Sequence, residues 1–110
     1  MISIRQENVW RQSGKIFSIA AVGMDGSSNV LFIHSRSPFT VHDFNQTLLS
    51  LPIDIHNAMY VEGGPEASLY VKANEIEVNQ VGSYETGFNQ DDDNKSAWLI
   101  PNVIGIVKRR

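Results

Sequence analysis

The sequence predicts an α+β domain: a mostly antiparallel sheet with one amphipathic helix, at about residues 40–51, packed on it. Three observations predict this class. Short apolar runs alternate with clusters of turn-forming residues, only one stretch has helical spacing, and the chain has 110 residues. A chain of this size buries enough surface for one modest core. We therefore expect residues 1–110 to form a single domain.

A hairpin is predicted in the first third of the chain. Residues 16–23 are apolar enough for a strand that is buried on both faces, which indicates a central strand. The turn formers at 25–29 separate it from a second β-rich run at 30–35. Ser37 and Pro38 are predicted to break that second run.

The next segment has the signals of a helix. Thr40 can cap its start, and Asp43 follows three residues later in a variant of the capping box. The apolar face is predicted to contain Val41, Phe44, Leu48 and Leu51. The opposite, polar face is predicted to contain Asp43, Asn45, Gln46 and Thr47. Pro52 should end the helix, because proline cannot continue its hydrogen-bond ladder.

The remaining regular structure is predicted to be β. Strands are expected at 57–61, 67–71, 75–81 and 98–107. A glycine turn at 62–66 joins the first two of these. Residues 89–95 contain three consecutive aspartates and too little apolar surface to pack, so we expect a solvated loop.

Composition and charge exclude several classes of function. Nine basic and twelve acidic residues give a net charge of −3, which disfavours nucleic-acid binding through a dominant basic face. The absence of cysteine excludes disulfide and thiolate chemistry. The sequence predicts no membrane span and no cofactor. The spacing of His34, His42 and His56 matches no metal-ligand motif, so no metal site is expected either.

Two local features point to chemistry. The turn Glu62-Gly-Gly-Pro-Glu66 places two carboxylates around glycines at the end of a strand, and paired carboxylates are the groups that glycoside cleavage requires. The same residues are also typical of a plain polar turn. Arg36, followed by Ser37 and a helix start, has a guanidinium suited to an anion such as phosphate, although the same pattern is more typical of an ordinary surface arginine.

These motifs resemble a known family. Arg36-Ser37 before a helix, then the run at 57–71 with its Glu-Gly-Gly-Pro-Glu turn, resemble the bacterial phosphodiester glycosidases, relatives of the domain that uncovers mannose 6-phosphate. Glu62 stands where the family usually has Asp. The segments 82–88 and 100–105 are similar to those of a bacterial branch of the family. The resemblance covers nearly the whole chain and corresponds to the C-terminal part of the longer family domains.

The resemblance implies hydrolysis of a sugar 1-phosphodiester of the N-acetylglucosamine type. It implies proton transfer or charge stabilisation by Glu62 and Glu66. The substrate-binding residues that it implies are Arg36, Ser37, Gly63, Gly64 and Asn102. The alternative is a catalytically inactive module that binds a glycan or a protein. Family members are commonly exported, but this sequence shows no export signal, and its localisation is left open.

The resemblance also predicts an assembly. A sheet that lacks the N-terminal strands of the family should expose an edge and an apolar face, which proteins rarely leave uncovered. We therefore expect a homodimer in which a second copy covers that surface.

Overall fold

The computed structural model describes residues 1–109 and confirms the predicted fold class. Its elements are β1 (Phe17–Asp25), β2 (Val30–Phe39), α1 (Val41–Ser50), β3 (Ile55–Gly63), a short 3-10 turn (Gly64–Glu66), β4 (Ser68–Ala73) and β5 (Ile76–Val81). The strands form two antiparallel sheets. The larger has the order β2-β1-β3, and the smaller is the β4-β5 hairpin.

The core lies between α1 and one face of the larger sheet. β1 is the central strand, as its apolar sequence predicts, and Ile19 within it is fully buried. The core is formed by apolar side chains of the N-terminal segment, β1, α1 and β3, namely Met1, Ile2, Ile19, Ala21, Val41, Phe44, Leu48, Ile55 and Ala58. On the opposite face of the sheet, Phe32 and Met59 are exposed.

The helix begins where the sequence predicts. Thr40 Oγ1 accepts a hydrogen bond from the Asp43 amide at 3.1 Å, which satisfies one of the free donors of the first turn. α1 spans ten residues and stops before Pro52. The prediction that Leu51 belongs to the apolar face is wrong, because Leu51 is the C-cap residue and its side chain is exposed. No helix within residues 1–109 has the length and apolar character that crossing a membrane requires.

Asn45 was predicted on the polar face of α1, and this is wrong: its side chain is completely buried. The N-terminal segment closes over this side of the helix and pairs with β3 through Ile2 and Ala58. Asn45 Nδ2 donates to the Met1 carbonyl at 2.9 Å and to Asn8 Oδ1 at 2.8 Å. A polar residue is tolerated here because the segment that covers it supplies acceptors.

Replacing Asn45 by alanine is expected to lower the free energy of unfolding by about 2 kcal/mol, because the Met1 carbonyl and Asn8 Oδ1 each lose one donor and a cavity forms. Urea denaturation followed by circular dichroism measures this change. Gln46→Ala, at an exposed position of the same helix, is the matched control and should leave stability within about 0.5 kcal/mol. Equal effects at the two positions would contradict the role given to Asn45.

β2 is longer than predicted, because Ser37 and Pro38 do not break it. β2 is an edge strand of its sheet, where a proline without an N–H group leaves no interior partner unpaired. The pairing with β1 also shifts here: Phe17 pairs with Phe39, but Ile19 pairs with Ser35. The extra residues of β2 form a bulge that accommodates the proline.

The strand predicted at 98–107 is absent, so that prediction is wrong. The segment has no regular secondary structure and no strand pairing, and several of its apolar side chains are exposed, namely Leu99, Val103, Ile104, Ile106 and Val107. β propensity expresses how well side chains pack on a paired, half-buried surface, so it forms no strand where a partner is missing. Residues 89–95 form an irregular, mostly exposed loop, as predicted.

Candidate functional site

The glycine turn at the end of β3 positions the two predicted carboxylates. Glu62 pairs with Ala20 and Gly63 with Ile19, after a shift of register that makes Val61 a bulge residue. The chain then leaves the sheet through the 3-10 turn, where Gly64 has a φ of +68°. This positive φ explains a glycine at position 64, since side chains with a Cβ rarely adopt it.

Three of the predicted site residues line one cleft. Glu62, Glu66 and Asn102 face an open cavity of about 1150 Å³. One wall is formed by β4, another by residues 100–108, and the floor includes Ala20–Val22 and Phe32. Glu62 and Glu66 come from the same turn, whereas Asn102 comes from the extended segment opposite.

The carboxylate of Glu62 is held by the backbone of its own turn. Its Oε1 accepts a hydrogen bond from the Gly63 amide at 3.0 Å. Ser68, two residues after Glu66, also lines the cleft, and its buried hydroxyl has no hydrogen-bond partner among the described residues. The cleft therefore combines two carboxylates with an amide side chain, and the Ser68 hydroxyl is buried in its wall.

Two further ionisable groups adjoin the turn, and the sequence reasoning assigned neither a role. A Cβ at Gly63 would clash with the Tyr60 hydroxyl, and a Cβ at Gly64 would clash with the Glu85 carboxylate. Burial raises the pKa of the Glu85 carboxyl, and the negative charges of Glu62 and Glu66 raise it further. Burial, followed by the charges of Glu62, Glu85 and Glu66, raises the pKa of Tyr60 to about 12. Tyr60 therefore keeps its proton at neutral pH.

A buried serine fixes the segment that carries Glu85. Ser18 Oγ donates to the Arg36 carbonyl at 2.6 Å and accepts from the Ser83 amide at 2.9 Å. The Ser18 amide donates to the Tyr84 carbonyl at 2.9 Å. Segment 84–86 thus runs beside β1 at the point where β3 leaves it. The only sequence signal for Glu85 was its place in the segment 82–88 that resembles the family.

Arg36 and Ser37 lie outside the cleft. The Arg36 guanidinium donates to the Val81 carbonyl at 3.1 Å and forms an ion pair with Asp92 at 3.7 Å. Ser37 is exposed, and its carbonyl accepts a hydrogen bond from the Ser35 hydroxyl at 2.8 Å. The structure therefore does not bring these two residues together with the carboxylates. Arg36 instead connects β2 with β5 and with the loop at residues 89–95, which contains Asp92.

The histidines are separated from one another. His34 Nε2 donates to the Ala67 carbonyl at 3.0 Å, and burial lowers the pKa of its imidazole. His42 lies in α1 and His56 in β3. Within residues 1–109, no three His, Cys, Asp or Glu side chains are grouped closely enough to hold a metal ion.

The fold and the site define a small α+β protein in which a glycine turn carries two carboxylates into a cleft. Comparison with known families then identifies the family that this sequence matches. The sequence matches the phosphodiester glycosidase family over residues 2–107. The chain therefore belongs to the phosphodiester glycosidase family. No curated protein and no solved structure matches it.

Proposed function

We propose that this chain hydrolyses a sugar 1-phosphodiester of the N-acetylglucosamine type, with Glu62 and Glu66 as the carboxylates that assist cleavage. The observation that carries the proposal is that both glutamates extend from one glycine turn into the same cleft. Membership of the phosphodiester glycosidase family supports the class of bond that is broken.

The chemistry needs one proton donor and one ionised carboxylate. As the bond between the anomeric carbon and the phosphate oxygen breaks, one carboxyl group gives its proton to that oxygen, which leaves with the bonding electrons. The other carboxylate takes a proton from the attacking water or stabilises the developing positive charge. Glu62 and Glu66 share these roles, and the products are a free sugar and a phosphate monoester.

Substrate binding is assigned to the polar groups around the carboxylates. Asn102 faces the cleft and can form hydrogen bonds with sugar hydroxyls. Gly63 and Gly64 are buried and do not line the cleft, so we assign them the role of shaping the turn that carries Glu62 and Glu66. Arg36 and Ser37 lie outside this cleft, with the Arg36 guanidinium on Val81 and Asp92, so they have no part in the proposed substrate site.

A pair of aryl substrates tests the class of reaction. We expect the purified chain to liberate free N-acetylglucosamine from an aryl N-acetylglucosamine 1-phosphodiester, with the aryl phosphate monoester as the second product, and to leave the corresponding neutral aryl N-acetylglucosaminide intact. Only the first substrate contains a phosphodiester, the anionic group for which the family is named. Cleavage of the neutral glycoside alone, or of neither compound, would overturn the proposed function.

The second candidate is a binding module without turnover. The observation in its favour is that one wall of the cleft, residues 100–108, belongs to no strand and leaves the cleft open on that side. In that case N-acetylglucosamine 1-phosphate should shift the amide resonances of the cleft residues while the phosphodiester stays intact. Turnover that depends on the glutamates excludes this candidate.

We also propose that the chain forms a homodimer. Phe32 and Met59 on the open face of the sheet, together with the apolar side chains of residues 99–107, are exposed in the single chain. Apolar surface of this kind commonly marks an interface. Light scattering coupled to size exclusion should give about twice the chain mass of 12.3 kDa. A mass of one chain at micromolar concentration would contradict the dimer.

A further inference from the structure

Side chains of other residues fill the space beside the two adjacent glycines of the turn. The space that a Cβ would need at Gly63 is filled by the Tyr60 hydroxyl, and the space at Gly64 by the Glu85 carboxylate. Both glycines are buried. An ionisable group therefore lies directly against the backbone of each glycine, and a larger residue at either position would have to displace it.

Glu85 is held against Gly64 by backbone contacts on two sides. It pairs with Phe17 of β1, at the position that β3 has just left. It also exchanges hydrogen bonds with Asn89, since the Glu85 amide donates to the Asn89 carbonyl at 3.0 Å and the Asn89 amide donates to the Glu85 carbonyl at 2.9 Å. The backbone of Glu85 is thus fixed by the sheet and by its own tight turn.

The charged surroundings of Glu85 consist of the proposed catalytic groups. Glu62 comes from β3 and Glu66 from the 3-10 turn, and both oppose ionisation of Glu85. Tyr60, also from β3, lies on the same turn and stays neutral. Three carboxyl groups thus interact electrostatically around one glycine pair, and only two of them line the cleft.

We propose that Gly63 and Gly64 form a seat for Tyr60 and Glu85, and that Glu85 is a positioning residue that acts through this seat on Glu62 and Glu66. This proposal rests on the proposed function, because it states that Glu85 influences the pH range in which Glu62 and Glu66 assist hydrolysis. Glu85 does not touch the substrate. It fixes the turn mechanically and adds or removes one negative charge beside it.

The sign of the effect follows from electrostatics. Below its raised pKa, Glu85 is neutral and only positions the turn. Above that pKa it is ionised, and a third negative charge then lies beside the turn that carries Glu62 and Glu66. Removing this charge while keeping the shape of the side chain should therefore move the pH dependence of hydrolysis toward lower pH.

The first test follows the titration of Glu85 by carbon NMR of labelled carboxyl groups. In Glu62→Gln and in Glu66→Gln the pKa of Glu85 should fall, and Glu62→Gln should have the larger effect because its charge contributes more. Glu7→Gln, an exposed carboxyl in the N-terminal segment, is the matched control and should not change it. An unchanged Glu85 titration in both turn variants would overturn the proposal.

The second test compares pH–rate profiles for the release of free N-acetylglucosamine from the aryl N-acetylglucosamine 1-phosphodiester. Glu85→Gln should shift the profile downward by about half a pH unit, while Glu7→Gln leaves it in place. A uniform loss of activity at every pH would indicate a purely structural role and overturn the proposal. If the unmodified chain shows no turnover, the proposed function fails, and the carbon titration still decides whether Glu85 interacts with Glu62 and Glu66.

Discussion

Glu62→Gln is expected to lower kcat/KM for an N-acetylglucosamine 1-phosphodiester by about 10²–10⁴, the usual contribution of a positioned acid or base. Glutamine keeps the length and the oxygen that accepts the Gly63 amide, so the turn should keep its shape. What is lost is the ability to take up, donate or balance a proton. The decrease should appear in kcat, with KM nearly unchanged, because the removed interaction is made in the transition state.

Two comparisons make the Glu62 result specific. Glu66→Gln should also lower kcat, because both carboxylates face the cleft, and Glu7→Gln should not. Thermal unfolding of each variant checks that the fold is kept. If both turn variants hydrolyse the phosphodiester at the rate of the unmodified chain, the assignment of these glutamates is wrong.

Local signals in the sequence predicted the parts of the fold that depend on neighbouring residues. The N-cap at Thr40 and the stop at Pro52 bound α1, because both act within one helical turn. The central position of β1 followed from its apolar residues, since a strand covered on both faces has no polar side. The turn that carries Glu62 and Glu66 was likewise visible from its two glycines.

The features that the sequence did not predict depend on distant partners. Asn45 is buried because the N-terminal segment folds over α1, and no helical periodicity contains that information. Pro38 fits because β2 lies at a sheet edge with a bulge. The strand predicted at 98–107 fails because the chain offers this segment no pairing partner. Each of these outcomes is decided by tertiary contacts that override local preference.

The same distinction applies to the site. The β4-β5 hairpin separates Glu85 from Glu62 in the sequence. Glu85 reaches the glycine turn because segment 84–86 pairs with β1. No motif spacing joins these two residues, so sequence reasoning found one carboxyl pair and missed the third group. Arg36 shows the converse, because a local pattern suggested a phosphate ligand, whereas the fold directs its guanidinium toward Val81 and Asp92.

Gly82→Ala is expected to cost about 3–5 kcal/mol, the range of severe steric changes. The Gly82 amide donates to the Ala67 carbonyl at 2.6 Å. An added Cβ would clash with the Gly64 carbonyl oxygen and lie 2.7 Å from the Ala67 carbonyl oxygen. Both contacts are with backbone, which cannot move aside as a flexible side chain can. The end of β5 must therefore separate from the glycine turn.

Urea denaturation measures this cost, and Gly105→Ala is the matched control, because nothing lies within 4 Å of a Cβ at that position. A domain of this size is stable by only about 5–15 kcal/mol, so Gly82→Ala should remove a large part of its stability. Since Gly82 directly precedes the segment that carries Glu85, the variant should also lose the interaction of Glu85 with Glu62. Stability equal to that of Gly105→Ala would show that segment 82–85 does not pack on the turn, and the seat for Glu85 would then have no support.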